Sequence, residues 1–288
     1  MLILWAALSG ACFALIPVAI NMAAGRNVEP RHLLMVAMPL CALVMLPGAL
    51  VHPAPLVVWL TGIGIGGAQF GAIMALRWGL RFGPMAPLWC AQLLGFVVAV
   101  LWCWWNWSEE LTVGRLIAVL AAVASVIAAA WQVGGNGNSA RRSIVPYAVA
   151  LVAVWLLNGA TNAAFKELSM QPCGESGNLM SVYGDLLLVL MYATIGIGAA
   201  ADLVWRPARA PVVATIGYAA MLAGGSLGGL ALLRWCLSAP ASLVFTINTA
   251  SSLLAAIALA WLFWRERPTL TGWISLACAL VAVMAAAW

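Results

Sequence analysis

A chain of 288 residues that is 65% hydrophobic and only 7% charged cannot cover a soluble domain, whose residues are about 25% charged. Its apolar residues come in runs of about 20, long enough to cross a bilayer as helices, and they do not alternate as barrel strands would. The net charge of +5 arises from 13 basic residues scattered singly and in pairs; this excludes a nucleic-acid-binding surface and fits the loops of a membrane protein.

Ten spans are predicted. The first, residues 2–24, has neither the basic lead nor the cleavage site of a signal peptide, and Asn21 lies on its face with Gly10, Phe13 and Pro17. The second, 32–51, contains Pro39 and Pro47; the third, 55–80, holds Gly67, Gln69 and Gly71; the fourth, 84–107, holds Trp89, Cys90 and Gln92; the fifth is 111–133. A polar linker at 134–143 separates the halves. The sixth span, 144–168, carries Asn158 and Asn162 four apart on one face, with Thr161 beside them and Lys166 one turn on. The seventh, 178–201, contains Tyr183-Gly184-Asp185, and Asp185 is the one acid well inside an apolar segment. The eighth, 211–235, holds Gly224, Ser226 and Gly228; the ninth, 239–264, has the densest polar patch, with Thr246, Asn248, Thr249, Ser251 and Ser252; the tenth is 270–288.

One stretch occurs twice. Residues 76–131 match 233–288 without a gap: Arg77 falls on Arg234, Trp104 on Trp261, Trp107 on Trp264, Glu109 on Glu266, Thr112 on Thr269 and Trp131 on Trp288. The same 157-residue offset aligns Gly67 and Gly71 with Gly224 and Gly228, a G-x-x-x-G spacing that lets helices approach closely. Five spans per copy is an odd number, so the second copy enters the membrane from the opposite side. The predicted fold is therefore all-α and integral to the membrane, ten transmembrane helices in two inverted five-helix repeats, 1–133 and 144–288. Odd-numbered loops carry ten basic residues and even-numbered loops three, which places the odd loops in the cytoplasm and both termini outside.

Polar side chains in hydrocarbon are costly, so they should face the bundle interior or an aqueous cavity. Asp185, desolvated, could take up a proton near neutral pH and couple a proton or cation gradient to substrate, or it could pair with Lys166. Glu109 and Glu266, each followed by a threonine three residues on, read as caps of the helix that follows. The seven cysteines show no C-x-x-C pair and read as small hydrophobic fillers.

Ten helices in two inverted halves, each ending in a glutamate-containing polar break (Trp-Ser-Glu-Glu-Leu-Thr; Trp-Arg-Glu-Arg-Pro-Thr) before a small-residue helix, resemble the drug/metabolite transporter superfamily, especially its EamA-like branch. The resemblance implies a central cavity lined by the first, third and fourth spans of each half. It puts Asn21, Gln69, Trp89, Gln92, Asn158, Asn162, Ser226, Thr246 and Asn248 near a substrate. Tyr183, in the seventh span, is a further candidate substrate contact outside that implied lining. Neither the first nor the sixth span has the membrane-embedded glutamate of the small four-helix multidrug relatives, which argues against cationic-drug antiport.

The expected activity is secondary transport, in the cell inner membrane, of a small polar or zwitterionic metabolite such as a sugar or amino acid. Amides, hydroxyls and aromatics suit neutral hydrogen-bonding solutes. A lipid-carrier flippase is the alternative. An intramembrane enzyme would need a paired-aspartate motif, H-E-x-x-H or a phosphate loop, none of which is in the sequence. No cofactor or metal is called for, and the chain is expected as a monomer or homodimer.

Overall fold

A computed structural model describes the chain except residues 27, 83–84, 135–143, 174–176, 207–210, 265–269 and 287–288. The described residues form α1 (Leu2–Phe13), α2 (Leu15–Ala24), α3 (Pro30–Ala49), α4 (Leu56–Gly79), α5 (Met85–Leu93), α6 (Gly95–Asn106), α7 (Val113–Gly134), α8 (Ile144–Met170), α9 (Leu179–Trp205), α10 (Val212–Cys236), α11 (Ala241–Trp264) and α12 (Leu270–Ala286). A two-residue antiparallel ladder, β1 (Pro172–Cys173) with β2 (Gly177–Asn178), joins α8 to α9. Eight helices are long and apolar enough to cross a membrane, counting Leu2–Ala24 and Leu88–Asn106 each across a break, and Val113–Ala128 and Trp273–Ala285 are shorter apolar helices. The chain is an all-α membrane protein, and the ten predicted spans coincide with these rods to within a few residues.

The two breaks are departures from the predicted continuous spans, one with a cause in the adjacent sequence and one with a cause on another helix. Between α1 and α2 lies Ala14, three residues before Pro17. Proline has no N–H for the carbonyl four residues back, that of Phe13, and its ring crowds that carbonyl. No proline follows at the equivalent place in the fourth span. There the break at Leu94 is met by α8: Asn158 Nδ2 donates to the Gln92 carbonyl at 2.6 Å and Trp155 Nε1 to the Leu94 carbonyl at 3.1 Å. Side chains entering the ladder of backbone bonds break it. Elsewhere the boundaries follow ordinary signals. Pro55 and Pro211 stand at the N-caps of α4 and α10, Pro30 opens α3, and Asn178 with Ser181 forms a reciprocal capping box on α9.

Helix partners come in matched sets. α4 packs on α9 as α10 does on α3; α1 packs on α11 as α8 does on α6; α4 packs on α8 as α10 does on α1 and α2. Two pairings bring together the second spans of the two halves, α3 with α9, and the last spans, α7 with α12. The α7–α12 seam is reciprocal, since Ser125 Oγ donates to the Ser275 carbonyl at 2.7 Å and Ser275 Oγ to the Ser125 carbonyl at 2.9 Å.

The tightest helix contacts use other glycines than the duplicated ones. A Cβ on Gly66 would lie 2.7 Å from the Met191 carbonyl oxygen, and one on Gly62 2.8 Å from Leu190 Cβ, so these two seat α4 on α9. A Cβ on Gly225 would lie 2.9 Å from the Cys12 carbonyl oxygen, and one on Gly229 2.7 Å from the Phe13 ring, so these seat α10 on α1. Gly67 and Gly224 would meet nothing within 4 Å. They share helix faces with exposed Leu60 and Ile63, and with exposed Val213 and Ile216. Of the duplicated glycines only Gly71 (against Leu157) and Gly228 (against Cys12) touch a neighbour.

Candidate functional site

Ionised side chains inside such a bundle must be paired, and they gather at its two ends. At one end Arg77 Nη1 donates to Asp202 Oδ2 at 2.7 Å and its Nη2 lies 3.3 Å from Glu29 Oε2. Arg31, 4% exposed, sits 2.8 Å from the same glutamate and donates to the Arg206 carbonyl at 2.7 Å. At the other end Arg234 is bound to the Asp185 carboxylate and donates to the Ser181 carbonyl at 3.1 Å. Asp185 and Asp202 both belong to α9, seventeen residues or about 25 Å apart along its axis. The duplicated arginines thus lie at opposite ends of one helix. Asp185 is partnered by Arg234, not by Lys166.

Lys166 forms a separate cluster at the Arg234 end. It is 1% exposed, and its Nζ donates to the Leu237 carbonyl at 3.0 Å, the Ala239 carbonyl at 2.7 Å and Glu109 Oε1 at 3.0 Å. Glu109 Oε2 accepts from the Ala241 N–H at 2.8 Å. This carboxylate therefore caps α11 in the other half of the chain, while Thr112 Oγ1 accepts from the Arg115 N–H at the start of α7. Glu266, Thr269 and the linker at 135–143 lie outside the described residues.

Several predicted substrate-facing residues are engaged between helices. Asn158 holds the Gln92 carbonyl. Asn248 Nδ2 donates to Ser9 Oγ at 2.7 Å, and Ser9 Oγ donates to the Gly229 carbonyl at 2.7 Å, so one relay joins α11, α1 and α10. Ser226 Oγ and the Tyr192 hydroxyl are 3.1 Å apart and join α10 to α9. Trp155 is held by Leu94, and Thr161 bonds to its own helix.

A second set is free. Gln69 Oε1, Trp89 Nε1, Ser242 Oγ and Thr246 Oγ1 are buried side-chain atoms with no hydrogen-bond partner among the described residues. Gln69 shares the inner stripe of α4 with buried Ile65, Ala72 and Leu76. Leu76 belongs to the cluster of Leu88 and Ala150 against which Trp89 packs. Thr246 and Ser242 share a stripe of α11 with Leu253, which clusters with Cys90 of α5 and Val126 of α7. The Trp89–Cys90 step of α5 therefore joins both stripes. Asn162 is half-buried and one turn from Lys166, and Thr246 is five residues from Ala241, which that same cluster anchors. Both therefore lie at similar depth, about 6 and 7.5 Å along their helices from the cluster. Tyr183 is half-buried near the Asp185 end of α9, and Asn21 is exposed in the last turn of α2. Among the described residues no group of three His, Cys, Asp or Glu side chains could hold a metal ion.

The charged clusters carried little sequence signal, because Asp202, Glu109 and Lys166 each lie at the edge of an apolar run where solvated charges are ordinary. No family model matches the chain, and no curated protein matches it. Chains of solved structures do. One of these, described only as "Crystal structure of protein", superposes with a TM-score of 0.75 at 19% sequence identity, covering 98% of this chain and 98% of that one. At that identity the match speaks for a shared fold.

Proposed function

We propose that this chain is a secondary transporter of a small polar or zwitterionic metabolite, working by alternating access between two inverted five-helix repeats, residues 1–133 and 144–288. The matched helix partners, the pairing of α3 with α9 and of α7 with α12, and the opposite-end arginines support the inverted relation. Residues of the odd-numbered loops and their flanks (Glu29, Arg31, Arg77, Asp202, Arg206) bond to one another at one end. Those of the even-numbered loops (Glu109, Lys166, Leu237, Ala239) bond at the other, where Cys236 Sγ also donates to the Leu2 carbonyl. With ten basic residues on the odd side, that side is cytoplasmic and both termini are outside, in a bacterial inner membrane.

The observation that carries the transport reading is the unpartnered amide oxygen, indole N–H and hydroxyls of Gln69, Trp89, Thr246 and Ser242. An orphaned buried polar group costs about 1–3 kcal/mol, a cost that a hydrogen-bonding solute would offset. These groups lie on α4, α5 and α11, the third, fourth and ninth spans, which the EamA-like resemblance also assigns to the cavity. The absence of an unpaired charge in the set favours a neutral or zwitterionic solute.

Proteoliposome uptake of labelled sugars and amino acids tests this, with and without a proton gradient. Saturable flux competed by one solute class supports it; no flux across a broad panel with verified reconstitution overturns it.

A further inference from the structure

Where α6 ends, the chain turns sharply. Ser108 takes a left-handed conformation, φ 48°, and the turn opens a hollow of about 450 Å³ lined by Trp104, Trp105, Ser108, Glu109 and Glu110. Trp104 is 51% and Trp105 79% exposed. Of the acids in the described residues, Glu29 and Asp202 pair with Arg31 and Arg77, Glu109 with Lys166, and Asp185 with Arg234. Glu167 accepts from the indoles of Trp102 and Trp107 and from Gln171. Glu110 is left, an exposed carboxylate with no partner among the described residues.

An unpaired carboxylate beside two exposed indoles is the chemistry that recognises an alkylammonium group, through charge and cation–π attraction. Next to it is a positive group: Arg115, in the first turn of α7, donates from Nη1 to the Glu110 carbonyl at 3.0 Å. The hollow lies at the end of an apolar helix, at the level where a bilayer presents its headgroups. We propose that it binds the headgroup of a zwitterionic phospholipid, with the ammonium against Trp104, Trp105 and Glu110 and the phosphate on Arg115. An anionic lipid without an ammonium would bring no positive group to Glu110 and would gain only the Arg115 contact, so the site favours the zwitterionic headgroup. The site does not depend on the transport reading.

Native mass spectrometry of the delipidated full chain, titrated with phosphatidylethanolamine, phosphatidylcholine or phosphatidylglycerol of identical acyl chains, tests it. The zwitterionic lipids should bind more tightly than phosphatidylglycerol. Glu110→Gln and Trp105→Ala should each weaken them by about tenfold, Trp105→Phe should retain most binding, and Trp205→Ala, an exposed indole outside the hollow, should change nothing. Glu110→Gln alters an exposed side chain and carries the test if Trp105→Ala does not fold. Equal binding of phosphatidylglycerol, wild-type affinity in Glu110→Gln, or an equal loss in Trp205→Ala would overturn the site. Displacement of the lipid by free choline or ethanolamine at equal concentration would overturn the lipid assignment in favour of a soluble cation.

Discussion

Alanine at Gly66 and alanine at Gly67 are substitutions one residue apart, and they should act in opposite directions. Within a helix the exchange of glycine for alanine is worth about 1 kcal/mol in propensity. At Gly67 the added methyl meets nothing within 4 Å, so that gain is retained. At Gly66 the methyl would lie 2.7 Å from the Met191 carbonyl oxygen, 2.7 Å from Thr194 Cβ and 3.0 Å from the Met191 Cα. Two of those three atoms are backbone, so α4 must move off α9 to admit it. Overpacking of this kind costs about 1–3 kcal/mol, more than the propensity gain. The second half offers the same contrast. Gly224 is open, whereas a Cβ on Gly225 would lie 2.9 Å from the Cys12 carbonyl oxygen and 3.1 Å from Leu15 Cβ. Unfolding of the four alanine variants in mixed micelles, followed by far-ultraviolet circular dichroism, gives the comparison. Gly67→Ala and Gly224→Ala should equal or exceed wild type, and Gly66→Ala and Gly225→Ala should fall below it. Equal losses in Gly67→Ala and Gly66→Ala would refute the assignment of the packing faces.

The ionic clusters give graded expectations in the same assay. Glu109→Gln leaves Lys166 buried without a counter-charge and should cost about 3 kcal/mol; adding Lys166→Met should recover part of it, and strict additivity of the two would deny the coupling. Asp202→Asn strips a carboxylate shared by Arg77 and Arg31, the latter 4% exposed, and should cost about 3 kcal/mol. Asp185→Asn frees only Arg234, which is 25% exposed, and should cost about 1 kcal/mol or less; the reverse ranking would count against the burial argument. Thr246→Val removes a fully buried hydroxyl that has no partner, so stability should hold or rise slightly while uptake of the transported solute falls by about tenfold or more. Unchanged uptake in that variant would remove Thr246 from the substrate path.

Much of the architecture was legible because hydrophobic run length and proline placement act locally. The spans at 2–24, 55–80 and 211–235 reappear as helices within a few residues of their predicted ends, although the first is predicted as continuous and breaks at Ala14. Pro17 accounts for that break, but the sequence does not tell it from Pro39 and Pro47, which lie inside the unbroken α3. The break at Leu94 was not legible, because Asn158 and Trp155, the side chains that accompany it, are more than sixty residues away. The same limit applied to the candidate site. Composition marks Asn158, Asn248 and Ser226 as polar groups in hydrocarbon but cannot tell a helix-joining bond from a free donor. Only the partner decides, and the partners Gln92, Ser9 and Tyr192 lie on other helices. Glu109 looked like a cap for the helix that follows it and instead caps α11, whose first N–H groups are 132 residues away in sequence.

The duplicated arginines change meaning once their partners are known. Copies of one helix end would be expected to find equivalent partners, one in each half. Instead both find an aspartate on α9, Arg77 near its end and Arg234 near its start. The fixation is unequal. At the Arg77 end four charged side chains and the Arg206 carbonyl close a network across α3, α4 and α9. At the other end α9 itself is held to α10 by a single ion pair, both partners a quarter to a third exposed, while the buried Lys166–Glu109 pair at that end ties α8 to the α6–α7 turn and does not involve α9. If the two halves rock about α3 and α9, the partly solvated Arg234–Asp185 contact of α9 is cheaper to separate than its contact with Arg77 and Arg31, because water can replace each partner there. The buried network leaves an unpaired, dehydrated Arg31 when it opens. α9 should therefore part from α10 at Asp185 before it parts from α4 at Asp202. Cysteines placed on α10 and α9 beside Arg234 and Asp185 should label faster with a water-soluble maleimide than a pair placed beside Arg77 and Asp202, and equal rates would contradict this ordering of the two ends.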